Sequence, residues 1–179
     1  MGKEGVMEYK TGGLIVDLGN VIIAHWLSNI TSSNFDEVDY NLIPEVPGAF
    51  ASLKKFCLHF EGNISVIYNA TDIASEKIIE WLHYHRFVEQ TGISLDRVMR
   101  SKTGRDKTPY LSQRSGSYHD TSIVIDDRLE VLAHFVGKVP YLFLFRPRED
   151  EIAAFSRDNI LSQINIVTSW PELELALRL

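Results

Sequence analysis

Gly13-Leu-Ile-Val16 is an unbroken apolar run, and Asp17-Leu-Gly-Asn-Val21 follows it directly. Far downstream a second apolar run, Ser122-Ile-Val-Ile125, ends in Asp126-Asp127. Short apolar runs of this kind read as strands buried on both faces of a parallel sheet. In an open α/β sheet the crevice beyond the strand ends is where ligands bind. Two such strands, each delivering carboxylates to its C-terminal tip, therefore decide both the fold and the place to look for chemistry.

Working outward, strands alternate with helices. Residues 48–60 carry Phe50, Leu53, Phe56, Cys57 and Phe60 at helical spacing, closed by Gly62-Asn63. Ile64–Tyr68 reads as a strand. A helix capped by Thr71 or Asp72 runs to about Phe87, with Ile73, Ile78, Ile79, Leu82 and Tyr84 on its apolar stripe. A short strand is expected at 97–100, a brief helix at 107–113 with Pro109 in its first turn, and a strand at 122–125. A helix over 128–135 ends at Gly137. Residues 139–145 give the most continuous strand signal. A helix at 149–155, a strand at 164–167 and a last helix begun by Pro171 complete the chain, with Trp170 packing that helix onto the sheet. This alternation predicts βαβ units, a mostly parallel sheet and three layers, helix on sheet on helix.

With 179 residues, 45% of them hydrophobic and 23% charged, the sequence reads as one domain over 1–179. No apolar stretch approaches the roughly 20 residues that span a bilayer, and no membrane role is expected. Residues 1–8 lack the apolar core of a signal peptide. Cys57 is the single cysteine, so no internal disulfide is possible; it reads as a small buried hydrophobe in a cytoplasmic protein. A net charge of −6 argues against nonspecific nucleic-acid binding, leaving nucleic acid possible only as a substrate. Residues 24–46, polar and closed by Pro44 and Pro47, read as a short flap rather than a second domain.

Asp17 at a strand tip can attack a phosphoryl group and form an aspartyl-phosphate. An anion attacking an anion needs a cation to neutralise charge, and Mg²⁺ takes oxygen ligands. Asp126 and Asp127 supply them; the competing reading is a helix N-cap before Arg128. Tyr68-Asn-Ala-Thr71 opens a helix, and Asn69 or Thr71 there can hold phosphate oxygens. Lys107, at a helix start within Gly104-Arg-Asp-Lys107, suits the phosphate and the nucleophile better than Lys102 in its loose loop.

Taken in order, these segments resemble the haloacid-dehalogenase-like (HAD) phosphohydrolase superfamily. The resemblance spans most of the chain, from Leu14 to about Phe145. It implies a Rossmann-like sheet with the first strand central and the fourth beside it. It also implies Mg²⁺-dependent hydrolysis of phosphomonoesters, with Asp17 as nucleophile, Lys107 stabilising charge, Asn69, Thr71 and Lys107 on the phosphate, and Asp17, the Gly19 carbonyl, Asp126 and Asp127 on the metal.

Two departures stand out. The family's second Asp, which protonates the leaving group, falls at Gly19, and Tyr68 stands where Ser or Thr is usual. Asn20 cannot shuttle protons as a carboxylate does; His25 is a distant candidate for that role and reads rather as a flap residue. These departures keep a second reading open, a catalytically impaired binding or scaffold protein of the same fold. A signalling receiver fits poorly, because its acidic pair follows the first strand and its Lys comes last. The insert at 24–46 is too short for a large cap domain, so an open crevice is expected, suited to a large phosphorylated substrate or to a small one enclosed by a second copy in a homo-oligomer. Trp26, Phe35 and Tyr40 read as anchors of the flap in preference to contacts with a base or sugar, and Arg146-Pro-Arg148 as a solvated turn in preference to a source of positive charge near the crevice.

Overall fold

In the computed structural model, which describes residues 12–27, 38–111, 121–154 and 159–179, the run Gly13–Val16 forms strand β1 and is buried throughout. Five more strands follow: β2 (Ile64–Tyr68), β3 (Val98–Arg100), β4 (Thr121–Asp126), β5 (Tyr141–Phe145) and β6 (Asn165–Val167). All pair in parallel, in the order β3-β2-β1-β4-β5-β6. The first strand is thus central and the fourth lies beside it, as the resemblance implied.

Alternation along each strand divides the core into two. Leu14 and Val16 of β1, Ile123 and Ile125 of β4, and Phe143 and Phe145 of β5 face one layer. Ile15, Val124, Leu142 and Leu144 face the other. The first layer is roofed by helices α1 (Ala49–His59), α2 (Asp72–Tyr84), α3 (Phe87–Thr91) and α6 (Trp170–Leu177). The second is covered by α4 (Leu129–Ala133) and by Leu111. A further helix, α5 (Glu149–Ala154), follows β5.

Local chemistry sets the boundaries. Ser169 caps α6 through the Glu172 N–H, with Pro171 in the first turn. The helix expected to run to Phe87 breaks after Tyr84, and Arg86 turns left-handed at φ 53°. That break lets Phe87 bury fully against Phe50, ring centroids 5.5 Å apart. Ile73 and Tyr84, expected on the buried stripe, are exposed, and Trp81 fills the core instead. The helix expected at 128–135 gives way to turns after Ala133, and β5 begins two residues later than its apolar run.

The stretch expected as a helix at 107–113 is a 3-10 turn, Thr108–Leu111, whose continuation lies outside the described residues, as do Phe35 and Phe155. Between β1 and α1 the described residues hold only two 3-10 turns, His25–Leu27 and Tyr40–Leu42. Their base is fixed by Ala24 N–H to Pro44 (3.0 Å) and Val46 N–H to Ile22 (2.7 Å). Tyr40, Ile43 and Val46 are buried, which agrees with Tyr40 as a flap anchor. No helix among the described residues is long and apolar enough to cross a membrane.

Candidate active site

The C-terminal ends of β1 and β4 lie side by side, and the Asp17 N–H donates to Ile125 at 2.8 Å, carrying the ladder one residue past β1. Asp17 and Asp126 therefore leave neighbouring strand tips together. Asp17, Asp126 and Asp127 each bring a carboxylate oxygen to within 4.8 Å of the others. The chain beyond Asp17 turns tightly, with Ile22 and Ile23 N–H both bonded to Leu18 and Asn20 left-handed at φ 58°. This turn brings the Asn20 side-chain amide to Asp127, to which it donates at 3.0 Å.

Lys107, 2% exposed, reaches the cluster from just before its 3-10 turn. Its ammonium donates to Asp17 Oδ1 at 2.5 Å and to Asp126 Oδ2 at 2.7 Å. Asp126 also accepts the Arg128 N–H at 3.0 Å, but Arg128 itself is the N-cap of α4 and carries no side-chain cap bond, so neither Asp126 nor Asp127 caps the helix as the competing reading had it. The Arg128 guanidinium lies 3.8 Å from Asp127.

The electrostatics show how crowded the cluster is. Burial alone would lower the Lys107 ammonium, but Asp17 and Asp126 more than offset this and hold it above the usual lysine range. Burial pushes Asp126 up to about 8, a rise that Lys107 opposes and Asp17 and Asp127 reinforce. Burial and Asp17 raise Asp127 to about 6. Close carboxylates resist joint ionisation. A hard divalent cation relieves this, and an all-oxygen donor set of carboxylates is what Mg²⁺ accepts. The residues present fit such an ion.

A cavity of about 250 Å³ opens onto the cluster, lined among others by Gly19, His25, Tyr68, Asn69 and Arg105. Of the residues expected there, Asp17, Gly19, Asn69, Lys107, Asp126 and Asp127 come together. Thr71 is not among the lining residues; its hydroxyl caps α2, accepting the Ala74 N–H at 3.3 Å. The Tyr68 phenol is bonded to Ser75 at 2.7 Å. Asn20, Arg105 and Arg128 had no role assigned from sequence. Each adjoins a quoted motif residue, the one signal that could have found them. Lys102 is exposed and does not line the cavity.

His25, a distant candidate in the sequence, stands at the site. It lines the cavity, bonds through Nε2 to the Tyr40 hydroxyl, and lies against Gly19. Burial lowers its imidazole pKa, and Asp17 partly opposes this.

No family model and no curated protein matches the sequence. Solved structures do. A D,D-heptose 1,7-bisphosphate phosphatase from B. bronchiseptica, complexed with magnesium and phosphate, matches with TM-score 0.62 at 13% identity, covering 93% of this chain and 98% of that one. The D,D-heptose 1,7-bisphosphate phosphatase from Burkholderia thailandensis matches with TM-score 0.58, 13% identity and the same coverage, 93% and 98%. Together with the parallel sheet and its central first strand, these likenesses show that the chain shares the α/β fold of these two phosphatases.

Proposed function

We propose that this chain is a Mg²⁺-dependent phosphohydrolase that cleaves phosphomonoesters through an aspartyl-phosphate on Asp17. One observation carries the reading: Asp17, Asp126 and Asp127 converge within 4.8 Å while Lys107 is bonded to the first two of them. The magnesium and phosphate bound by a neighbour of the same fold support it.

Asp17, the Gly19 carbonyl, Asp126 and Asp127 would hold Mg²⁺, which supplies charge neutralisation between nucleophile and phosphoryl group. A carboxylate oxygen of Asp17 attacks phosphorus, and the bond to the ester oxygen breaks. That oxygen takes a proton from water in the open crevice and leaves as the alcohol. Water then attacks the phosphorus of the acyl phosphate, phosphate departs, and Asp17 is restored. Lys107 orients Asp17 and balances charge on the phosphoryl oxygens. Asn69 contacts those oxygens, while Thr71 acts one step back by fixing the start of α2. An open crevice beneath the short insert at 24–46 and a cytoplasmic setting, resting on the single cysteine, are part of the proposal.

The test is turnover of p-nitrophenyl phosphate, dependent on Mg²⁺ and abolished by Asp17→Asn, with label from a ³²P substrate trapped on the wild-type chain after acid quench. An inert wild type that still binds phosphate would favour the second reading, an impaired binding protein, for which Gly19 is the specific support.

A further inference from the structure

β5 runs beside β4, so Arg146, just past Phe145, stands at the same edge of the sheet as Asp126. Its backbone is left-handed at φ 48°. A left-handed residue that carries a side chain persists only where the surrounding structure holds it. The turn is fastened by the Arg146 N–H donating to Val167 at 2.7 Å. The guanidinium lies over the Trp26 ring, 4.1 Å from its centroid. Stacking of this kind fixes the plane of the guanidinium yet leaves its edge donors for an oxyanion.

Arg146 differs from its neighbours in charge balance. Arg148 is paired with Asp150 at 3.1 Å, and Arg128 stands 3.8 Å from Asp127. Among the described residues no carboxylate pairs with Arg146. All three arginines line a second pocket of about 200 Å³ that shares Asn20, Asp127 and Arg128 with the first. Glu151 and Asp127 also line it; one Glu151 oxygen accepts the Leu129 N–H at 2.6 Å, and its Oε2 is buried with no hydrogen-bond partner among the described residues. The first pocket alone, about 250 Å³, is smaller than the roughly 300–1,000 Å³ usual for small-molecule sites. A substrate larger than a phosphoryl group and a few carbons has the second pocket to extend into.

We propose that this second pocket binds an anionic group of the substrate remote from the phosphoryl group transferred, a second phosphate or a carboxylate, with Arg146 as its chief partner. The proposal rests on the phosphohydrolase reading for what occupies the first pocket. It defines the substrate class as phosphomonoesters that carry a second negative group.

Binding is measured by titration calorimetry on the full chain carrying Asp17→Asn, with Mg²⁺, so that the readout does not require turnover. The probes are fructose 1,6-bisphosphate, 3-phosphoglycerate and fructose 6-phosphate. A charge-assisted contact predicts that one of the first two binds about tenfold or more tighter than the third. Which of them does so tells phosphate from carboxylate. Adding Arg146→Gln removes the advantage. Arg146→Gly, which suits the left-handed backbone, does the same and guards against a folding defect. Equal binding of all three, or an advantage that survives both substitutions, overturns the proposal. Wild-type turnover of p-nitrophenyl phosphate is read separately. An inert enzyme that keeps the discrimination overturns the hydrolase reading and not the subsite; an active one without it does the reverse.

Discussion

The imidazole of His25 occupies the room that a side chain on Gly19 would take: a Cβ there would lie 3.3 Å from both Cε1 and Nδ1 of the ring. The absence of a carboxylate at residue 19 is thus matched by a titratable ring in its place, above the same cavity as Asp17. If the ring serves proton transfer to the leaving oxygen, His25→Ala lowers kcat on an alkyl phosphate by ~10²-fold or more. The loss is much smaller on p-nitrophenyl phosphate, whose leaving oxygen needs no proton. Equal losses on both substrates would show that the ring only packs.

Lys107 bridges Asp17 and Asp126 from a buried position. Removing one member of a buried ion pair typically costs about 3–5 kcal/mol. Lys107→Met is therefore expected to lower unfolding stability by that order in EDTA, and to abolish turnover. Mg²⁺ restores part of the stability, because it neutralises the same carboxylates. A change under ~1 kcal/mol in urea titrations would mean that the pair contributes little.

Asp126 and Asp127 are raised to about 8 and about 6, chiefly by burial. Folded, they bind protons that the unfolded chain releases near pH 4. Between about pH 4 and pH 8 the native state therefore holds the extra protons, and stability of the metal-free protein falls as pH rises. Lys107, held above the usual lysine range, titrates beyond that window. Mg²⁺ favours the ionised carboxylates, so it should raise Tm more near pH 8 than when added near pH 5. Thermal melts with and without Mg²⁺ decide this; equal shifts at both pH values would count against a cation held by these acids.

The Trp170 indole donates to the Val21 carbonyl at 2.9 Å across a fully buried contact, tying α6 to the turn that carries Asp17. Trp170→Phe keeps the ring packing against Phe56 and Phe145 but leaves that carbonyl unpaired. The expected cost is about 1–3 kcal/mol of stability. A drop in kcat larger than the drop in Mg²⁺ affinity would show that the turn positions Asp17 rather than the metal. An unchanged denaturation midpoint would remove the tie from consideration.

The sequence by itself determined the strands that are buried on both faces. Leu14, Val16, Ile123 and Ile125 sit in short, β-branched-rich apolar runs bounded by polar residues, and such runs are buried on both sides of a sheet. It also determined that Asp17 and Asp126-Asp127 end such strands, which suffices to place carboxylates at one edge. Helix ends were less legible: α2 stops at Tyr84 because Phe87 is drawn against Phe50, a contact 37 residues distant that no local propensity encodes.

Only the tertiary structure decided which polar residues join the site. Asn20 reaches Asp127 through a turn closed by bonds to Leu18, His25 lies against Gly19 just past that turn, and Arg146 follows β5 at the edge of the sheet where β4 ends in Asp126. Thr71 has the right chemistry at the right strand end, yet its hydroxyl goes to capping α2. Apolar pattern is periodic and so survives in one dimension; the meeting of single polar groups depends on turns, caps and strand order, which act in three.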